Sequence, residues 1–373
     1  MVHSAIVDQQ TLERFLDLVA ISATSTREKP VADFIRQRLE ETDIEVTEDG
    51  AAAAVGGSTG NLICRFRGGG EIMLLSHMDT PLDTAGVQPQ VHEDRITSDE
   101  RTILGVDNRT GVTTLLRLLE LAAADPTAYQ PFTVAFTVCE ETTLGGSQAL
   151  EFPTGIKYAY AFDSSYRPGA FIRGSYGAMS WKMVIHGRSA HAGLSPEKGV
   201  NAIQLAARIL DRLPNGRIDT ETTFNVARIE GGKMSNVVPD RVTVSGEARS
   251  RNEARVESVI TEARRTMESV LEQSEGSGEF AATWVFHPFT IEPDSAIVKR
   301  LTQAYARCGL TPEDHIAAGG SDANSLNARG LPALNLGVGA QNPHSTTEFI
   351  LLEDLAMDLK LAQVLVGKEG AVS

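Results

Sequence analysis

No apolar run in the chain approaches the ~20 residues that a membrane-spanning helix needs. The N-terminus, Met1-Val2-His3-Ser4, lacks both a basic leader and an apolar core, so no secretory signal is legible there. Cysteine is scarce. The three, Cys64, Cys139 and Cys308, are far apart and odd in number, which excludes a disulfide framework and fits buried thiols in a reducing compartment. Positive charge is in deficit as well: 34 basic against 49 acidic residues leave a formal charge of -15, which argues against nucleic acid or an anionic membrane as partner. Missing too are the Gly-x-Ser-x-Gly elbow, the His-Glu-x-x-His helix and the phosphate-binding Gly-x-x-x-x-Gly-Lys-Ser/Thr loop, which disfavours three large enzyme classes. These absences point to a cytoplasmic globular protein, and 373 residues predict two domains.

What is present alternates. Two helical stretches over 11–42 precede strands at Asn61–Phe66 and Ile72–Ser76, arranged around Gly68-Gly69-Gly70 as a hairpin turn. A helix over 110–124, a strand at Phe132–Val138, a helix starting near Gly146 and a strand at Tyr158–Phe162 follow. This order predicts an α/β domain with a mixed, mostly parallel sheet covered by helices on both faces. After Tyr176 the order becomes β-α-β-β-α-β, through strand Ala178–His186, helix Gly199–Leu213, strands Thr222–Ile229 and Arg241–Ala248, helix Glu253–Gln273 and strand Phe280–Phe289. That is the split arrangement of a ferredoxin-like unit. From Ile291 the α/β order returns with helix Ile297–Cys308, strand Ala333–Leu336 and a last helix from Leu351. The expectation is a discontinuous first domain, 1–175 and 290–373, with residues 176–289 inserted.

Chemistry gathers at the strand ends. His77 and Asp79 follow the apolar run Ile72–Leu75, and residues two apart on a strand point to one side. An imidazole there can bind a metal while the carboxylate holds its far nitrogen; a capped strand end with a surface ion pair is the bland alternative. Asp107 precedes a helix and could simply cap it. Glu140-Glu141 follows an apolar strand, Asp163 ends another, and His344 lies in the loop Asn342–Thr346. Each has an ordinary explanation as solvated surface or turn. Together, two histidines and three carboxylates supply ligands for two divalent ions about 3.5–4 Å apart, if one carboxylate bridges. Imidazole with carboxylate suits zinc, with cobalt or manganese as substitutes. Adjacent glutamates on an extended segment diverge, so one can ligate while the other serves as general base.

Six motifs in order carry a resemblance: Leu75-Ser76-His77-Met78-Asp79-Thr80, Ile103-Leu104-Gly105-Val106-Asp107-Asn108, Cys139-Glu140-Glu141, Ala161-Phe162-Asp163, Ser189-Ala190-His191-Ala192-Gly193 and Gly319-Gly320-Ser321-Asp322-Ala323-Asn324. The chain resembles the dinuclear-zinc aminopeptidase, carboxypeptidase and aminoacylase family, the M20-type metallopeptidases, and is most similar to its peptidase T-like branch. The resemblance implies that His77 and Asp163 bind one zinc, Glu141 and His344 the other, and that Asp107 bridges them. It makes Glu140 the base and Asp79 the group that orients His77. It implies that the insert is a lid that also forms a homodimer, with His191 reaching the partner's active site to steady the oxyanion. Asn236 and Arg249 match lid positions that contact substrate. The implied activity is exopeptidase cleavage of short peptides, with aminopeptidase action on tripeptides foremost. Deacylation of N-acyl amino acids is the alternative within the family, and a catalytically retired metal- or peptide-binding scaffold the alternative outside it. Arg109 stands where the family commonly has lysine, and Thr142-Thr143 fills a spot that is often more apolar.

Overall fold

The computed structural model describes residues 6–368 and 370, so His3 lies outside the described residues. The chain divides into two compact units, one made of Met1–Gly174, Thr290–Ala317 and Ser321–Ser373, the other of Ser175–Phe289 and Ala318–Gly320.

The first unit is a mixed sheet flanked by helices. Its strands lie in the order Glu45–Glu48, Leu62–Phe66, Phe132–Thr137, Ile72–His77, Tyr158–Ser164, Ala333–Gly337 and Ala170–Ser175. The four central ones, from Phe132–Thr137 to Ala333–Gly337, run parallel to one another. Ile72–His77 and Phe132–Thr137 are buried at every position, as expected of strands covered on both faces. The hairpin expected around Gly68–Gly70 does not form. Leu62–Phe66 instead pairs antiparallel with Phe132–Thr137, which lies between it and Ile72–His77. Gly70 sits so close to the carbonyl of Pro131 that a Cβ would fall 2.0 Å from it, so the glycine loop steps over the incoming strand. Helix Val106–Ala124, with 14 buried residues, passes through the middle of the unit and packs against Gln9–Val19 and Leu352–Val366. The apolar stripe Leu12, Phe15, Leu18 and Val19 fixes the facing side of Gln9–Val19, and Asp8 caps that helix by accepting from Thr11 N.

Asp358, on Leu352–Val366, is wholly buried, and among the described residues neither of its carboxyl oxygens has a hydrogen-bond partner. Burial raises its pKa well above the usual range, and Asp354 adds to this. The native state therefore keeps a proton that the unfolded chain releases above about pH 4. The resulting loss of stability is absent below that pH and grows as the pH rises toward the native value. Asp358→Asn is expected to match the wild type near pH 4 and exceed it by about 1–3 kcal/mol at pH 8 in denaturant unfolding. An equal difference at both pH values would refute this origin.

The second unit is a five-stranded antiparallel sheet in the order Gly216–Asp219, Thr222–Gly231, Arg241–Ser250, Gly177–His186 and Ser277–Phe286. Helices Ala202–Leu210 and Glu253–Leu271 pack on one face. Strand Gly177–His186 sends Met179, Trp181, Met183 and Ile185 to that face, where they meet Leu205, Ile209, Val256 and Met267. Without the short edge strand Gly216–Asp219, the arrangement is the ferredoxin-like β-α-β-β-α-β order. Residues Ala318–Gly320 join this unit because Arg249 donates to the Ala318 carbonyl and Ser175 Oγ to that of Gly319, while Gly320 packs on Phe286.

Candidate metal centre

Loops at the carboxyl ends of parallel strands collect ligands because side chains from neighbouring strands converge there. Three of the candidate ligands lie at or just beyond the ends of adjacent parallel strands. His77 ends Ile72–His77, Glu141 follows Phe132–Thr137, and Asp163 is near the end of Tyr158–Ser164. His344 comes from the loop beyond Ala333–Gly337, and Asp107 from the start of Val106–Ala124, where Asp107 and Asn108 leave helical geometry and share a cis peptide bond.

The five side chains meet. His77 Nε2 lies 3.0 Å from Asp163 Oδ1 and 3.1 Å from Asp107 Oδ1. The other Asp107 oxygen, Oδ2, lies 3.2 Å from His344 Nε2, which is 3.4 Å from Glu141 Oε2. Asp107 thus turns one oxygen to each histidine. Donors around a four-coordinate zinc stand about 3.3 Å apart, given bonds near 2.0–2.1 Å, so these separations fit such an ion. His77, Asp107 and Glu141 can each offer an atom to one ion. Glu141 Oε1 is buried and, among the described residues, has no hydrogen-bond partner, as a ligand atom would be.

The electrostatics are those of a site crowded with acid. Burial opposes the charge of Asp107, yet His344 and His77 hold its carboxyl down to about 2. Burial, with Asp107 beside it, pushes Glu141 up to about 8. Hydrogen bonding to Asp107 brings His344 up to about 9. Glu140 is raised well above its ordinary value by burial and then by the Asp163 charge.

Several of the candidate ligands have a support of their own. Asp79, wholly buried, approaches His77 Nδ1 with Oδ1 at 3.3 Å, while its backbone carbonyl lies 3.1 Å from the same nitrogen. The same carboxylate accepts from Ser25 Oγ at 2.6 Å and from the N–H groups of Glu140 and Glu141 at 3.2 Å each. Those two residues are not extended. They open a one-turn helix, Glu140–Thr143, because Cys139 takes a left-handed conformation and Asp79 meets the freed N–H groups. Successive residues on a helix still point about 100° apart, so the divergence of the pair survives the change of geometry. Asp163 accepts from Asn108 Nδ2 at 2.9 Å and from Asn335 Nδ2 at 3.3 Å.

Sequence reasoning passed over Ser25 and Asn335, whose contacts with Asp79 and Asp163 are distant in sequence, and over Asn108, whose one signal was its place beside Asp107. Arg109, the departure from the family pattern, is fully buried and donates to the backbone carbonyls of Leu18, Ile21 and Met78. Burial pushes it down to about 10. Its work is to tie the first helix to the His77–Asp79 turn.

In the second unit, His191 and Asn236 lie on adjoining loops: Ala192 N donates to the Asn236 carbonyl, and both residues are exposed. His191 Nδ1 accepts from the N–H groups of Gly193 and Leu194 at 3.2 and 3.1 Å, which leaves the proton on Nε2. Arg249 grips Glu247 with two nitrogens at 2.8 and 3.1 Å and passes over Phe286.

Residues 173–275 match the model of the peptidase dimerisation domain of the M20 peptidases. The uncharacterized protein YqjE of Bacillus subtilis is 31% identical over 364 residues, covering 96% of this chain and 97% of that protein. The crystal structure of the aminopeptidase PepT from Bacillus cereus superposes with a TM-score of 0.87 at 32% identity, over 97% of this chain and 98% of that one. The chain belongs to the M20 peptidase family, in its peptidase T-like branch. A tripeptidase from Staphylococcus aureus is also similar, with a TM-score of 0.88 and 28% identity over 97% and 98% of the two chains. M20 peptidases are hydrolases, and the mixed α/β unit with its ferredoxin-like insert is the architecture of this branch.

Proposed function

We propose that this protein is a two-metal exopeptidase that removes residues from short, unblocked peptides, tripeptides foremost. The observation that carries the reading is the Asp107 carboxylate, with one oxygen toward His77 and the other toward His344. That arrangement suits two ions sharing one bridge, and the orphaned Glu141 Oε1 adds to the fit. His77, Asp163 and Asp107 would hold one ion; Asp107, Glu141 and His344 the other. Mixed imidazole and carboxylate favour zinc, with cobalt and manganese as substitutes. When bound, such ions supply Lewis acidity to the scissile carbonyl and lower the pKa of water.

Every other step belongs to side chains. Glu140, half-buried and not needed as a ligand, takes the proton of the attacking water and delivers it to the leaving nitrogen. Asp79 keeps the His77 ring in one tautomer. His191, with Nε2 protonated, donates to the developing oxyanion, and Asn236 and Arg249 contact substrate. Arg249 must then share its fork between Glu247 and a peptide carboxylate, which its five donors permit. Reach by His191 into a partner's site requires a homodimer. The lid's exposed apolar residues Leu194, Ile203, Ile229 and Met234 supply surface for one, and the match to a dimerisation domain supports it. The PepT and tripeptidase relatives favour peptides over acylated amino acids as substrate.

The test is a screen of free di- and tripeptides against N-acetyl amino acids, with zinc, cobalt and manganese in turn. Chelator-sensitive release of free amino acids from tripeptides is expected. Hydrolysis confined to the acetylated compounds would shift the assignment to a deacylase, and no metal-dependent hydrolysis would leave a retired scaffold.

A further inference from the structure

Glu348 is wholly buried, and its carboxylate holds together two loops more than 230 residues apart in sequence. Oε1 accepts from His344 N at 2.7 Å; Oε2 accepts from Gly105 N at 2.6 Å and from Val106 N at 3.3 Å. Among the described residues no Lys or Arg forms an ion pair with it, and its hydrogen bonds come from these three peptide N–H groups. Both loops need such an acceptor. Gly105 and His344 have φ of +80° and +65°, conformations that turn their N–H groups away from ordinary helix or sheet partners.

We propose that Glu348 is a positioning residue that sets where His344 stands relative to Asp107, and so governs the metal-binding step that uses His344 and not the one that uses His77 and Asp163. The proposal rests on the two-ion reading above. Its asymmetry follows from the separate supports. His77 and Asp163 are steadied by Asp79, Asn108 and Asn335, none of which touches Glu348. The Asp107–His344 contact of 3.2 Å and the His344–Glu141 contact of 3.4 Å depend on where the His344 loop stands relative to Gly105. In Glu348→Gln the amide nitrogen is a donor and faces donors, so one loop must let go. In Glu348→Asp the charge remains, but the shorter side chain cannot span both loops.

The experiment titrates the metal-free full-length protein with zinc in the presence of a competing chelator, for the wild type and both variants. The wild type should take up two ions. Each variant should keep one binding step at wild-type affinity and weaken the other about 10- to 100-fold, the usual effect of losing an outer support of a ligand. The retained step shows that the variant is folded. Raising the zinc concentration should restore kcat on a tripeptide while KM stays unchanged. Two wild-type steps in either variant overturn the proposal, and so does equal weakening of both steps. Fewer than two ions on the wild type would defeat the two-ion reading itself, and this proposal with it, visibly in the wild-type titration alone.

Discussion

Glu140→Gln is expected to retain its metal ions and to lose peptide turnover by about a thousandfold or more. Gln has the shape of Glu, and among the described residues no Lys, Arg or His forms an ion pair with Glu140. A neutral amide therefore enters without leaving a buried ion stranded. The backbone N–H of residue 140 still donates to Asp79, so the one-turn helix and Glu141 keep their places. What disappears is a group that can take a proton from water and return it to the leaving nitrogen. General acid–base groups contribute about 10²–10⁴ in rate, and Glu140 would serve twice in one turnover. Metal analysis together with steady-state tripeptide hydrolysis checks the prediction. A variant that carries its metals and works within tenfold of the wild type would remove Glu140 from the role of base.

The candidate site was legible in the sequence to the extent that its chemistry sits at the ends of apolar runs. His77, Glu140-Glu141 and Asp163 each follow a stretch that reads as a buried strand, and parallel strands bring such ends together whatever the loops between them do. Asp107 lacks that support in local pattern and depended on the ordered motifs, while His344, outside those motifs, was marked only by its loop, Asn342–Thr346. The order of the strands was not legible. Leu62–Phe66 and Ile72–His77 have a three-glycine connector between them, a fair hairpin signal, yet Phe132–Thr137 lies between them because its apolar residues are buried on both faces. Periodicity reports which face of a strand is buried and says nothing of its neighbour. The supports of the candidate ligands were hidden for a similar reason. Nothing within ten residues of Glu348 or Asn335 tells that one meets Gly105 and the other Asp163. The insert was more legible because a ferredoxin-like unit closes on itself: its elements follow one another at short intervals and share one apolar face.

Asp107→Asn is expected to cost the protein at least one of two ions and, with it, about a thousandfold or more in turnover. Two divalent ions about 3.5–4 Å apart, as in two-metal sites generally, repel each other by roughly 18 kcal/mol even at an effective dielectric constant near 20. A negative group between them is the most direct offset, and Asp107 alone among these side chains has one oxygen toward each histidine. Its carboxyl, held down to about 2 by His344 and His77 against the opposing effect of burial, is ionised throughout the working range of pH. Asparagine removes that charge and turns one oxygen into an NH2 group that cannot ligate. Loss of Asp163 or His344 would take a ligand from one ion, whereas loss of the Asp107 carboxylate withdraws charge from both. Substitution at Asp107 should therefore lower metal content more than Asp163→Asn or His344→Asn does. Metal content by elemental analysis after dialysis, in the three variants side by side, decides the matter: two ions retained by Asp107→Asn, or a smaller loss there than in the other two, would deny Asp107 the bridge.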